Sequence, residues 1–291
     1  MTASYSFQLL GGFHNHNIGD AQSIMSYTFT ASRSRPARVA GQFYPGSAEN
    51  LSRTVSRLLA SAETKERSGI SGIIVPHAGY VYSGPIAARA FASLPPSQSR
   101  FRRCVLVGPS HFVPFKGIAA PSFASFSTPL GEIPVDTIAV KGLLTKGHAV
   151  IEDAPHEQDH AIEVELPFLQ AIYGDLPIIP LLFGFTSARA IAAVIAEVWS
   201  DETLLVVSSD LSHYEDYEAA RAHDMRTAES IEAFEESVIG PADACGHLAA
   251  RGALIEAKRR GLTIQRIDLR NSGDTAGDKQ SVVGYGAWAI G

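Results

Sequence analysis

The sequence predicts an α/β fold. Two observations carry this. Short continuous apolar runs have the length of buried strands, and the stretches between them show helical apolar spacing. Alternation of the two kinds along the chain means a sheet covered by helices on both faces.

The elements follow in order. Ser47 is placed to cap a helix that carries Leu51, Val55, Leu58 and Leu59 on one face. Gly72–Pro76 is a short buried strand, and Pro85–Leu94 is a helix opened by proline. Cys104–Gly108 is a second buried strand. Ile162–Tyr173 has helical spacing but contains Pro167, which predicts a kink. Ile178–Phe183 is a third strand, whose Pro180 favours a strand end or a bulge. Ala188–Trp199 is an amphipathic helix and Leu204–Ser209 a fourth buried strand. Helices are expected at Tyr217–Ser237 and Pro241–Arg260, and a closing strand at Val282–Ala289. Continuous apolar strands of this kind suit the centre of a sheet.

Residues 1–34 are rich in Ser, Thr, Gly and Asn and weakly periodic, so they are expected to be a poorly ordered extension. The folded unit is expected to span residues 35–291, with no linker or repeat interrupting it. Hydrophobic residues at 45% and charged residues at 19% suffice for a core and exclude a mainly disordered chain. A net charge of -6 without a basic run argues against nucleic acid held through phosphates and against acidic membranes. The longest apolar run, Leu176–Phe185, holds two prolines and is too short to span a bilayer. Two cysteines do not make a disulfide-built secreted domain, and the N-terminus lacks a signal-peptide pattern, so the chain is read as cytoplasmic.

Chemistry points to the histidines. Three of the four clearest strands run directly into a loop holding one. They are His77 in Pro76–Tyr80, His111 in Gly108–His111, and His213 in Ser208–His213. Ligands of open α/β sheets bind at the carboxyl ends of strands, so three such loops converge on one site. Cys245 sits where a helix is expected to begin, a position that favours thiolate. Gly246 beside it leaves room for close approach. Cys104 lies inside an apolar strand and is read as a small core residue. Two imidazoles and one thiolate form a three-ligand face with open positions, which Zn²⁺ accepts and which suits non-haem iron. No phosphate loop is present.

These residues carry a resemblance. Arg38–Pro45, Val75–Pro85, Gly108–His111, Thr128–Asp136, Glu163–Leu169, Ser208–Tyr214, Ala244–Gly246 and Val282–Tyr285 resemble the Memo family in the family's order. The bacterial branch of that family is called AmmeMemoRadiSam system protein B. The resemblance covers residues 35–291. It implies a single-domain central mixed sheet flanked by helices, similar to class III extradiol dioxygenases. It also implies a metal site at His77, His111 and Cys245, with Asp210 and His213 lining the same pocket. His160 matches a further family histidine, which normally lies in a Glu-His-Ser run and here lies in Asp159-His160-Ala161. By family association, radical-SAM and AMMECR-type proteins are the expected partners.

The leading expectation is a non-haem Fe²⁺ redox enzyme, dioxygenase-like, acting on an unidentified small molecule or peptide. Its metal would be held by His77, His111 and Cys245. His213, oriented by Asp210, would act as general acid–base, and His160 as a second proton carrier or an orienting group. Two alternatives use the same residues. One is a zinc hydrolase, with copper also chemically acceptable to the donors. The other is a non-catalytic adaptor whose pocket binds a peptide through Tyr80, Tyr82, Phe112 and Tyr214.

Overall fold

The computed structural model describes residues 33–63, 69–95 and 100–291. Apart from its last two residues, the predicted N-terminal extension lies outside the described residues. Arg33 and Ser34 already belong to the fold, since Ser34–Arg35 forms strand β1 and Arg33 pairs with Asp153 and Glu157.

In chain order the elements after β1 are α1 (Ala48–Ala60), β2 (Gly72–Val75), α2 (Gly84–Ala92), β3 (Arg103–Pro109), β4 (Ile118–Ala120), β5 (Ser125–Thr128) and β6 (Gly131–Pro134). They continue with α3 (Thr137–Thr145), β7 (Val150–Ile151), α4 (Asp153–Gln158), α5 (Leu166–Tyr173), β8 (Ile178–Phe183), α6 (Ala188–Val198) and β9 (Thr203–Ser208). The last are β10 (His213–Glu215), α7 (Tyr217–Glu232), α8 (His247–Arg259), β11 (Ile264–Asn271) and β12 (Val282–Ile290).

The central sheet is mixed. Its middle is four parallel strands in the order β2-β9-β3-β8. β12 lies antiparallel beside β2 and pairs in turn with β10 and β11; β4 and β7 extend the other side. All residues of β2, β8 and β9 are buried, as continuous apolar strands in a covered sheet should be. Helices α2 and α8 pack on this sheet, and α6 packs on α8. A small second sheet joins β1, β5 and β6. No helix among the described residues is long and apolar enough to cross a membrane.

Local chemistry explains most elements. The Ser47 side chain accepts from the Asn50 N–H and starts α1, which buries Leu51 and Val55. Pro85 sits in the first turn of α2. Pro167 kinks nothing. A 3₁₀ turn at Glu163–Glu165 precedes it, and it occupies the first turn of α5, where its missing N–H costs no bond. Pro180 lies mid-strand without ending β8. Ile178 O accepts from Asp136 N–H and Gly184 N–H donates to Gly117 O, so even-numbered residues of β8 face away from β3. Pro180 falls between those two contacts, where β4 does not pair. Its absent donor leaves no ladder bond broken.

Candidate metal centre

The parallel arrangement puts the carboxyl ends of β2, β9, β3 and β8 at one edge. His77 lies two residues beyond β2, His111 two beyond β3, and Asp210 two beyond β9. His160 arrives from the turn after α4, and Cys245 from the turn before α8. His77, His111 and His160 each present a ring nitrogen, and the three atoms lie within 4.8 Å of one another. The rings of His111 and His160 stack at 4.8 Å, and His77 meets both edge-on at 5.0 and 5.3 Å. Cys245 Sγ is 3.2 Å from His77 Nε2.

The imidazoles are held from behind. His77 Nδ1 bonds Ser208 Oγ at 2.7 Å, and His111 Nδ1 donates to Asp159 Oδ1 at 3.1 Å. This leaves each Nε2 facing the cluster, the orientation that buried hydrogen-bond partners give to metal-binding histidines. Asp159 also accepts from the backbone N–H groups of His111 and Ala161. Burial works to raise its carboxyl, but these bonds prevail and hold it at about 2. Burial, seconded by the neighbouring imidazoles, lowers His77 to about 3 and His160 to about 4. Both are therefore neutral at pH 7, the form that ligates.

The donor set fits a transition metal. With bonds of about 2.3 Å to sulfur and 2.0–2.1 Å to nitrogen, tetrahedral ligands lie about 3.5 Å apart. The Cys245–His77 separation is already close to that, whereas the three rings must draw in by about an ångström. His160 Nδ1 is buried with no hydrogen-bond partner. A buried nitrogen without a partner, beside two Nε2 atoms and a thiol, is a donor that a cation or a shared proton would satisfy.

One expectation is corrected. Cys245 does not gain from the helix N-terminus: α8 begins at His247 with Gly246 as its cap, so the thiol lies outside the first turn. Burial and the nearby Asp210 carboxylate push it up to about 12, and a bound cation is needed to make it a thiolate. Gly246 is where close approach matters. A Cβ there would come within 2.5 Å of Ser209 Cβ and 2.7 Å of Ser208 O, so only glycine lets this turn reach the end of β9.

The other expected residues surround the cluster. Asp210 Oδ1 accepts from the His77 backbone N–H at 2.8 Å, pinning that loop to the end of β9. Burial raises Asp210, and the bond from the His77 N–H opposes this. His213 opens β10 opposite Val283. Tyr80 is buried and donates to Val164 O at 2.7 Å, so it is a packing residue; Phe112 and Tyr214 are exposed. Sequence reasoning missed the parts played by Ser208 and Asp159. Serine and aspartate at strand and helix ends carry no signal that separates an imidazole's support from an ordinary cap.

Comparison with known proteins agrees with the residue pattern. Residues 35–289 match the family described as Memo-like protein. A MEMO1 family protein of Nitrosopumilus maritimus is 34% identical over 86% of this chain and 96% of its own length. One from Methanosarcina acetivorans is 35% identical over 87% and 97%. The crystal structure of an uncharacterized Escherichia coli K12 protein aligns with a TM-score of 0.50 at 12% identity. It covers 76% of this chain and 100% of its own, a likeness of fold alone. The order of motifs, the mixed sheet and these matches together make the chain a member of the Memo-like family.

Proposed function

We propose that this pocket holds one Fe²⁺ ion between His77, His111 and Cys245, and that the protein is a mononuclear non-haem redox enzyme. The observation that carries this reading is the pair of imidazoles whose Nδ1 atoms are tied to Ser208 and Asp159, with the Cys245 thiol 3.2 Å from His77 Nε2. Three protein donors leave open positions, and an iron there would supply one-electron chemistry with a bound substrate and oxygen. The chain's own groups do the rest. His160, neutral and unpaired at Nδ1, takes or returns a proton at that atom. Asp210 keeps the His77 loop in place, and His213 acts as the acid–base group. The donors also accept zinc, so metal identity decides between oxidation and hydrolysis.

Metal analysis of protein purified without oxygen tests this. One equivalent of iron, lost in Cys245→Ala and in His77→Ala, is expected. Full iron occupancy in Cys245→Ala would remove the thiol from the ligand set. Tight zinc in place of iron would move the reading to hydrolysis.

A further inference from the structure

We infer that the cavity beside this cluster binds the uncharged aromatic ring of a small-molecule substrate, gripped between Phe112 and Phe185. The inference rests on the metal reading for the reactive end of that molecule, and names what the other end must be.

The cavity has a volume of about 470 Å³, within the usual range for a small-molecule site. His111 and Cys245 form part of its wall, so an occupant reaches two of the proposed ligands directly. Phe112 and Phe185 flank it, with Val113 and Leu248 adding apolar surface. No Lys, Arg, Asp or Glu lines it. A carboxylate or phosphate lying away from the ligands finds no side-chain counter-charge there and loses its hydration unrepaid.

The two phenylalanines are exposed on fixed backbone. Phe112 is 59% exposed and Phe185 71%. Burying such a ring is favourable, so both positions leave stabilisation unused. Neither sits on a loose loop. Phe185 N–H donates to Phe115 O at 2.7 Å, Gly117 N–H donates to Phe185 O at 3.0 Å, and Gly184 N–H donates to Gly117 O at 3.1 Å. Gly184 lies so close to the Phe115 backbone that a Cβ has no room. The Ser110 hydroxyl donates to Val113 O at 2.8 Å and fixes the turn that presents Phe112. The Phe112 ring lies 6.1 Å from that of His111 and 6.0 Å from that of His160, so it joins the cavity to the cluster. Rigid, exposed aromatics lining one cavity beside reactive groups are preorganised to stack a ring. His247 supplies polarity: its Nδ1–H donates to Ala244 O, which leaves Nε2 as the atom offered to a ligand.

The test uses three fluorinated indoles and ¹⁹F NMR titration of the full chain as purified. 5-Fluoroindole is neutral, 5-fluoroindole-3-acetate carries a negative charge, and 5-fluorotryptamine a positive one. Saturable binding of 5-fluoroindole is expected, with the acetate at least tenfold weaker. Phe112→Ala/Phe185→Ala is expected to weaken 5-fluoroindole at least tenfold, and Val238→Ala, an exposed apolar site elsewhere, to leave it unchanged. Leu248→Trp fills the cavity instead of stripping its walls and is expected to give the same loss. Equal binding of the acetate, no binding of 5-fluoroindole, or binding indifferent to both cavity variants would overturn the inference. Metal content measured on the same samples separates the two readings. Ring binding that survives without any metal leaves the cavity assignment standing and sinks the iron centre. Iron bound with no ring binding does the reverse.

Discussion

Removing the Glu163 carboxylate is expected to be strongly destabilising. Arg35 and Glu163 are 1% and 0% exposed and paired at 2.5 Å. Arg35 also donates to His156 O and, at 2.7 Å, to Asp159 O. Glu163 accepts from the Arg38 and Val39 N–H groups at 2.9 and 3.0 Å and from the Tyr44 hydroxyl at 2.6 Å. One carboxylate thus fastens the start of the fold to the turn before α5. Glu163→Gln keeps the volume but turns one acceptor into a donor and strands the guanidinium. Breaking a buried pair from one side costs about 3–5 kcal/mol, out of a total of about 5–15 for a typical domain. Urea unfolding followed by circular dichroism should show a lower midpoint with unchanged slope. At about 2–4 °C per kcal/mol, Tm should fall by about 6–20 °C. Adding Arg35→Met to Glu163→Gln should recover part of the loss, because no unpaired charge then stays buried and the amide oxygen still accepts from the backbone N–H groups. A Glu163→Gln loss below about 1 kcal/mol, or a double variant no better than the single, would refute the reasoning.

Metal affinity should rise about tenfold per pH unit between pH 6 and 8, because the Cys245 thiol, pushed up to about 12, must release a proton to ligate; competition with a chelator at several pH values checks this, and Cys245→Ala should flatten the slope. Gly246→Ala should cost about 1–3 kcal/mol and lower metal occupancy, since its new methyl group collides with the end of β9; elemental analysis and a urea curve read both effects. His223 lies 2.8 Å from both Glu215 and Asp243. Burial works against its charged form, yet the two carboxylates prevail and raise it. The stability it lends is therefore fully present below pH about 6.5 and lost as pH rises through the raised folded value; unfolding curves should show that decline in the parent and not in His223→Gln. Tyr214 holds φ at +64° with its side chain 78% exposed, so Tyr214→Gly should stabilise by about 0.5–1 kcal/mol in the same assay, strain relief outweighing backbone entropy.

The centre of the fold and the histidine loops were legible because their signals are local. Gly72–Val75, Cys104–Gly108 and Leu204–Ser208 are apolar on both faces, and each strand ends at a turn carrying its own chemistry. β11 was missed because Gln265, Arg266, Asp268 and Arg270 break its apolar pattern; it packs beside β12 at the outer part of the sheet. The sheet of β1, β5 and β6 was missed because its strands are two to four residues long. Helix α8 was expected from Pro241, but residues 241–246 form the turn that carries Cys245. Helical spacing cannot reveal that a turn is held back by a contact to a distant strand. The same limit applies to Asp159, whose bond to His111 spans 48 residues.

The thiol and the imidazole that meet at 3.2 Å are 168 residues apart in the chain. On a ribosome adding about 5–20 residues per second, the imidazole would wait on the order of ten to thirty seconds for its sulfur to be made. The cluster therefore cannot be complete until β9 has slotted between β2 and β3 and the turn before α8 has reached its end. An ion bound with the full donor set would mark a chain whose four parallel strands have come together, and a chain interrupted before Cys245 would have both histidines and no means of completing the coordination between them.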